Sequence, residues 1–293
     1  MMLRCPREYY YAFVCRRKAR GDNTEVLGGK YFHELVANAR KAAQLAPLPP
    51  DPVQPPPGLD DDHRALLDLM FEGWLARWEV CGREFPNVDF TNLTDAFPHE
   101  LMGEYDAQIG VHGQVFELKT TKSDISPMGG YWDRLELDIQ VSMYYLTSGR
   151  PVIYDVVRIP HERPLKATPL DKRRVVTQGE RKGELYKGQR AEDESQADWL
   201  ARVQSMVEAD PDSYYQRREV YRTPEEVAEF RKNVLVTAKA FDMYAASDYY
   251  PMASQRSICN RFGGACPYLP VCTSRADIAD PSLYCESDYN RLV

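Results

Sequence analysis

The sequence predicts an α/β fold in which a core sheet is flanked by helices. Two strand patterns joined by a Gly-containing turn lie within residues 103–119, a helical pattern follows at about 132–146, and a buried-strand pattern occupies 151–159. Strand, strand, helix and strand in this order is typical of a sheet covered by helices. With 293 residues, 43% of them hydrophobic, the chain is long enough to bury a sizeable core.

The elements before this core are mainly helical. An aromatic run at Tyr9–Phe13 predicts a short helix after Cys5-Pro6. A second helix is predicted from its apolar spacing, with His33 near its start; the apolar positions are Phe32, Leu35, Val36 and Ala39. Seven prolines at 47–57 exclude a helix interior and favour an extended surface loop.

A third helix is predicted to begin after the three aspartates Asp60–Asp62, which can cap it. It carries a wide apolar stripe that includes Trp74 and Trp78. We interpret these tryptophans as core residues.

The candidate reactive side chains lie on the 103–119 hairpin. Glu117 and Lys119 project from the same face of a strand because side chains alternate, and Phe116 and Leu118 then point to a core. Asp106 lies on the neighbouring strand. Two converging carboxylates favour a hard divalent cation such as Mg²⁺ or Mn²⁺, and a lysine beside it suits metal-assisted phosphodiester hydrolysis. The alternative is a surface hairpin with ordinary Glu/Lys alternation.

The second half of the chain is more polar. Residues 168–195 are charged and punctuated by glycine, which predicts a mobile loop or irregular hairpin near substrate, and helices are predicted at 196–209 and 224–246. The net charge of −7 argues against binding nucleic acid by bulk positive charge. Local basic clusters remain, and our hypothesis for DNA contact names Arg173, Arg174, Arg181 and Lys182.

Seven cysteines favour metal chemistry or free thiols over disulfides. Cys259, Cys266 and Cys272 share a compact segment with Gly and Pro turns, and Cys5 lies near the other end of the chain. Four thiolates can bind an ion or a cluster, whereas free buried thiols are the alternative.

Taken together, these motifs resemble the RecB-like branch of the PD-(D/E)XK nucleases. The matching positions, in the order found in that family, are His33, Asp106, Glu117 with Lys119, and Gln140 with Tyr144. One departure is Tyr105, which replaces the proline of the family name. The resemblance implies a restriction-endonuclease-like core sheet with helical insertions.

The resemblance also implies roles for these residues. Asp106 and Glu117 would hold Mg²⁺ or Mn²⁺, with His33 and the backbone carbonyl of Leu118 completing the ligands. Lys119 would position or activate the attacking water. Gln140 and Tyr144, four residues apart on one helical face, would orient the metal site or the DNA backbone.

The segment Cys-Pro-Arg-Glu-Tyr-Tyr-Tyr resembles the N-terminus of AddB-type and CRISPR-associated RecB-like nucleases. That likeness implies a C-terminal [4Fe–4S] segment, with the ligands Cys5, Cys259, Cys266 and Cys272. Zn²⁺ satisfies the same donors equally well. Cys15 is a weaker candidate for the fourth ligand, and Cys81 and Cys285 are expected to be unligated.

The function implied is a metal-dependent DNA nuclease, most simply an exonuclease of recombination, repair or DNA processing, with a general likeness to phage-encoded and bacterial enzymes. Three alternatives stay open: a DNA-end-binding subunit with a vestigial site, a CRISPR-adaptation nuclease that partners an integrase, and a structural metalloprotein.

We expect one nuclease domain with four parts: 1–25 for the cluster segment, 26–160 for the catalytic core with a helical and Pro-rich insertion at 40–80, 161–250 for charged loop and helices, and 251–293 for the cysteines. No apolar run is long enough to span a membrane, so a cytoplasmic location is expected, in the host if the protein is phage-encoded.

Overall fold

The computed structural model describes residues 5–21, 24–45, 52–78, 80, 83–92, 101–110, 113–253, 255–261 and 264–287. The α-helices of these ranges are α1 (Pro6–Tyr9), α2 (Thr24–Gln44), α3 (Asp61–Arg77), α4 (Ile139–Ser148), α5 (Gln196–Ala209), α6 (Pro224–Ser247), α7 (Arg256–Cys259) and α8 (Leu269–Cys272). The strands are β1 (Arg17–Ala19), β2 (Glu84–Asn92), β3 (Leu101–Ile109), β4 (Val115–Thr121), β5 (Val152–Arg158), β6 (Tyr215–Val220), β7 (Asn260–Arg261), β8 (Gly264–Ala265) and β9 (Tyr284–Glu286). A π-helical turn at Tyr10–Val14 follows α1, and a 3₁₀ helix at Trp132–Leu137 precedes α4. None of the described helices is both long and apolar enough to cross a membrane.

The central sheet has five strands in the order β2-β3-β4-β5-β6. Strands β4 and β5 are parallel, and every other neighbouring pair in this sheet is antiparallel. A parallel pair needs a crossover connection, which α4 provides here. The predicted α/β class and the predicted order of hairpin, helix and strand are therefore confirmed.

Helices cover the sheet and bury it against two apolar clusters. Phe32 of α2, Trp74 of α3 and Trp199 of α5 pack in one cluster, which also receives Leu118 of β4. The other cluster includes Tyr144 of α4, together with residues of β3, β4 and β5. The core prediction for the tryptophans is confirmed for Trp74, which is fully buried, and Trp78 packs against the same cluster while partly buried.

The second helix begins earlier than predicted. His33 was expected near its start, but α2 begins at Thr24 and places His33 in its middle. Gly28 and Gly29 also lie within this helix. At Gly28 the reason is space, since a Cβ there would come within 3.0 Å of the His63 ring.

The helix predicted from Trp132 to Leu146 is also wrong as one continuous element. It divides at Asp138 into the 3₁₀ helix and α4. The Asp138 carboxylate accepts hydrogen bonds from the backbone N–H groups of Gln140 and Val141, so it caps a new helix instead of continuing the old one. Gln140 thereby lies in the first turn of α4.

The proline-rich stretch falls partly outside the described residues, at 47–51. Its remaining residues, 52–57, form neither helix nor strand, as predicted. The polar segment at 165–194, called here the basic arm, forms an irregular hairpin with one bridge between Val175 and Leu185. At its base Glu194 receives the Leu165 N–H at 2.8 Å and pairs with Arg202.

Segments from the two ends of the described chain pack together. Strand β1 pairs with β9, so that Lys18 lies opposite Cys285. The Tyr268 hydroxyl donates to the Arg17 carbonyl at 2.6 Å, and the Arg7 N–H donates to the Pro251 carbonyl at 3.1 Å. A tyrosine-rich cluster fills the space between them.

Candidate active site

Asp106 is placed by the way in which β3 and β4 separate. Their ladder pairs Ala107 with Phe116 and Gln108 with Val115 and extends no further. Beyond that point the Asp106 carboxylate replaces the ladder, because its Oδ2 accepts the Leu118 N–H at 2.8 Å. A backbone donor that strand pairing leaves free is thus satisfied by a side chain.

His33 reaches the same carboxylate from α2. Its Nδ1 lies 3.3 Å from Asp106 Oδ1. Burial by itself would raise the pKa of Asp106, but His33, the Leu118 N–H and the Lys119 charge outweigh it and lower that pKa. Asp106 is therefore held as a carboxylate with both oxygens engaged.

Glu117 is the most unusual group of the site. Its side chain is only 2% exposed, and its Oε2 is buried with no hydrogen-bond partner among the described residues. Burial, assisted by the Asp106 charge and opposed by Lys119, raises the pKa of Glu117 to about 7. An orphaned buried carboxylate oxygen is costly, which makes this position a candidate for binding a ligand.

Lys119 is fixed between two partners. Its Nζ donates to Glu117 Oε1 and, at 3.0 Å, to Gln140 Oε1. Burial alone would lower the pKa of Lys119, but the charges of Glu117, Asp106 and Asp138 raise it. The amine is therefore held as an ammonium, a donor of hydrogen bonds and of positive charge.

Helix α4 extends this chain of contacts. Gln140 Nε2 donates to the Tyr144 hydroxyl at 2.8 Å, and that hydroxyl donates to the Glu104 carbonyl at 2.9 Å. Tyr144 also packs edge to face on Tyr105, with ring centroids 4.9 Å apart. Tyr105 thus supports the α4 face that holds Gln140.

The structure therefore brings all six predicted side chains into one connected site: His33, Asp106, Glu117, Lys119, Gln140 and Tyr144. A cavity of about 350 Å³ opens beside it, and its lining includes Gly29, Lys30 and Asp106. Sequence reasoning missed Asp138 as the residue that starts α4. The signal was present, since an aspartate directly before an apolar helical pattern is a typical helix start.

The donors suit a hard divalent cation, although they are not yet gathered around one. No group of three or more His, Cys, Asp or Glu side chains is arranged to hold a metal within the described part of the chain. Glu117 Oε1 contacts the Lys119 ammonium, while Oε2 is free. Two neighbouring carboxylates with one unpartnered oxygen fit Mg²⁺ or Mn²⁺ in donor chemistry.

Cys5 and Cys259 lie within electrostatic range of both Cys266 and Cys272 near the joined chain ends, although no three of these described side chains are arranged to hold a metal ion. Burial raises the pKa of Cys266 and of Cys272, and in each case the charges of Cys5 and Cys259 raise it further. The Cys266 N–H also donates to the Cys259 carbonyl at 2.6 Å. Cysteine thiols that raise one another's pKa in this way are a donor set that a zinc ion or an iron–sulfur cluster can use once they are deprotonated.

Cys15 and Cys285 have surroundings of their own. Cys15 packs in the tyrosine-rich cluster beside Tyr10. The Cys285 thiol lies 3.8 Å from the Lys18 carbonyl. Cys81 lies outside the described residues.

The predicted DNA contacts on the basic arm divide into two kinds. Arg173 donates to the carbonyls of Thr168 and Ala191, at 2.7 and 2.6 Å, and so holds the base of the arm closed. Arg181 pairs with Glu184 within the arm. Arg174 and Lys182 are exposed.

No protein-family model matches this chain, and no curated protein matches it. The residues that carry the resemblance are therefore interpreted from their own geometry.

Proposed function

We propose that this chain is a metal-dependent DNA nuclease that hydrolyses phosphodiester bonds, acting as an exonuclease in recombination, repair or DNA processing. The observation that carries the proposal is the orphaned, buried Glu117 oxygen beside Asp106 and the Lys119 ammonium. A fold retains an unsatisfied buried carboxylate at a cost of about 1–3 kcal/mol, which is expected where function uses that atom.

Asp106, Glu117 and the Leu118 carbonyl would hold Mg²⁺ or Mn²⁺, with His33 either completing the set or orienting Asp106 as it does here. When bound, the cation supplies Lewis-acid stabilisation of negative charge on the phosphate. The Leu118 N–H contact fixes the rotamer of Asp106 before any ligand arrives. The carboxylate pair is thereby pre-organised.

Lys119 acts as an ammonium in this proposal. Because its pKa is raised, it keeps its protons near neutral pH, orients the attacking water by a hydrogen bond and stabilises charge that develops on phosphate oxygens. Gln140 holds the ammonium from the other side, and Tyr144 holds Gln140. These two residues are positioning groups for Lys119.

Cleavage of linear duplex, linear single-stranded and closed circular DNA, each with Mn²⁺ and with Mg²⁺, tests the proposal. We expect wild type to degrade linear but not circular DNA, and Lys119→Ala to be inactive while it keeps its fold and DNA affinity. Lys239→Ala, a change at an exposed lysine of α6, is the matched control and should cleave normally. Wild-type cleavage rates from Lys119→Ala would refute the chemistry assigned to the site.

The proposal includes a second, structural cofactor. Cys5, Cys259, Cys266 and Cys272 would ligate a [4Fe–4S] cluster, with Zn²⁺ as the alternative. The support is that Cys5 and Cys259 lie close enough to Cys266 and Cys272 for their charges to raise the pKa of both of those thiols. Since the ligands come from both ends of the chain, the cofactor would stabilise the fold rather than take part in hydrolysis.

A further inference from the structure

Three neighbouring cavities begin at the candidate active site; the first two lie against α2, and the third adjoins the second. The first, of about 350 Å³, contains Asp106 and Gly29 in its lining. The second, of about 80 Å³, also touches Gly29. It shares His63 and Lys122 with the third, of about 110 Å³. We call this series of cavities the α2 furrow.

Gly29 marks the narrow part of the furrow. A glycine within a helix costs about 0.5–1 kcal/mol relative to alanine. At Gly28 close packing explains that cost, but a Cβ on Gly29 would meet only Thr120 Oγ1, at an ordinary 3.5 Å. Packing therefore does not require glycine at position 29. Bare backbone that lines two cavities is instead expected where a ligand approaches the main chain closely.

The far end of the furrow presents an unpaired cation. Arg163 lines the third cavity, and its guanidinium has no hydrogen bond or ion pair with any residue in the described ranges. The nearby acidic groups are already engaged: Glu25 pairs with Lys122 at 2.9 Å, Asp62 accepts from Gln196 at 2.8 Å, and Glu162 lies within charge range of Arg202. Arg163 is thus available for an external anion.

The basic arm begins where the furrow ends. Pro164 lines the third cavity, and the arm starts at the next residue. The arm contains eight Lys and Arg residues against six Asp and Glu, in a chain whose net charge is −7. Its exposed Arg174, Lys182 and Tyr186 continue the polar and aromatic surface away from the furrow.

We propose that the α2 furrow is the path of one nucleic-acid strand, which runs from the nuclease site past Gly29 and Arg163 to the basic arm. The sugar–phosphate backbone would lie against the Gly29 main chain, and Arg163 would contact a phosphate. Because the middle cavity holds only about 80 Å³, far less than a base-paired stack occupies, we assign the furrow to a single strand. This inference rests on the proposed nuclease function and adds its substrate form.

The test measures fluorescence anisotropy of labelled single-stranded and duplex oligonucleotides in the inactive Lys119→Ala background. Arg163→Glu should weaken single-strand binding roughly tenfold and make its salt dependence shallower by about 0.7 in log–log slope. Gly29→Ala should weaken it several-fold, while its melting temperature stays equal or rises through better helix propensity. Lys239→Glu, an equal charge change on α6 away from the furrow, should bind as the background does.

Wild-type hydrolysis of bis(p-nitrophenyl) phosphate with Mn²⁺ separates the two proposals, because this small diester needs only the reactive site. If it is cleaved while Arg163→Glu and Gly29→Ala bind single strands as tightly as the background, the furrow is wrong and the nuclease stands. Equal losses from Lys239→Glu and Arg163→Glu, or tighter duplex than single-strand binding, would also overturn the furrow. If neither the diester nor DNA is cleaved, the nuclease proposal is wrong. The furrow is still tested in that case, because the anisotropy measurements of oligonucleotide binding do not depend on cleavage.

Discussion

Glu117 is a buried carboxylate on the central sheet, and one of its oxygens has no hydrogen-bond partner among the described residues. The β4 strand is covered on both faces, so Glu117 is as inaccessible as the apolar residues beside it. A glutamate in such a position is normally paired fully or replaced. Here one oxygen contacts Lys119 and the other has no partner among the described residues.

The unpaired carboxylate should make stability depend on pH. The folded protein binds the Glu117 proton more tightly than the unfolded chain does, because burial raises its pKa from 4.5 to about 7. Without metal, the free energy of unfolding should therefore fall as pH rises across that window. Thermal melts in EDTA should show this fall for wild type and a flatter profile for Glu117→Gln.

Metal addition provides the complementary control. At pH 7.5, Mn²⁺ should raise the melting temperature of wild type, because a ligand that binds only the folded state stabilises it. Glu117→Gln should respond much less. Identical pH profiles and identical Mn²⁺ shifts in both proteins would remove Glu117 from the proposed metal site.

Gly73 is a residue at which packing outweighs helix propensity. It lies in α3, where a Cβ would come within 2.1 Å of the Tyr215 hydroxyl, which donates to the Met70 carbonyl. Gly73→Ala should destabilise the fold by about 1–3 kcal/mol, although alanine is the better helix former. Urea denaturation measures this, and adding Tyr215→Phe should recover part of the loss. A stabilised single variant would contradict this packing.

At the scale of elements, α4 depends on its cap. Asp138 accepts two backbone N–H groups, and one of them belongs to Gln140. Asp138→Ala should cost about 1 kcal/mol of stability and should also lower kcat for DNA, with little change in KM, because Gln140 no longer holds Lys119 in place. Asp138→Asn, which keeps a capping oxygen, should restore most of the activity.

The cap of another helix distinguishes a loss of stability from a loss of Gln140 positioning. Ser195 caps α5 through the Asp198 N–H at 3.1 Å. Ser195→Ala should cost a similar amount of stability and leave cleavage unchanged. If both variants lost activity in proportion to their lost stability, Asp138 would have no particular role in positioning Gln140.

Elements with a strong local pattern could be predicted from the sequence. The hairpin of β3 and β4, the buried strand β5, and the helices α5 and α6 all lie where their periodicity places them. The two helix errors have local causes. Gly28 lies inside α2, where a side chain would crowd the His63 ring, and Asp138 interrupts an otherwise continuous apolar pattern.

Strand β6 could not be predicted, because its stability comes from tertiary contacts. Its residues include Gln216, Arg217, Arg218 and Glu219, a pattern typical of a loop. In the structure it pairs with β5, and Arg217 forms an ion pair of 2.6 Å with the buried Asp155. A polar edge strand is specified by its neighbour rather than by its own sequence.

For the whole molecule, the cysteine site gives the sharpest prediction. Protein purified without oxygen should contain iron and sulfide and should show visible absorbance. Cys5→Ser should lose the absorbance and lower the melting temperature, because the ligand set then lacks its N-terminal member. Cys285→Ser is the matched control and should keep both. A colourless wild type with stoichiometric zinc would exclude the iron–sulfur cluster.

The sequence was enough to predict which residues form the candidate site, but not how those residues contact one another. The six residues follow a recognisable order along the chain, whereas the separation of β3 from β4 that turns Asp106 onto the Leu118 N–H is a property of the folded sheet. On the basic arm, even the role of a single predicted residue could not be read from the sequence. Arg173 was predicted to contact DNA, but it donates hydrogen bonds to backbone carbonyls of the arm, and no sequence pattern marks such partners.

The pairing of β1 with β9 also sets the order of events during synthesis. Lys18 emerges from the ribosome long before its partner Cys285, by on the order of tens of seconds at typical elongation rates. Throughout that interval the early aromatic residues Tyr9, Tyr10 and Tyr11 lack the C-terminal segment that later covers them. The four cysteines Cys5, Cys259, Cys266 and Cys272 can therefore come together only after all the residues between them have been made, and a cofactor that they bind would be inserted after that point.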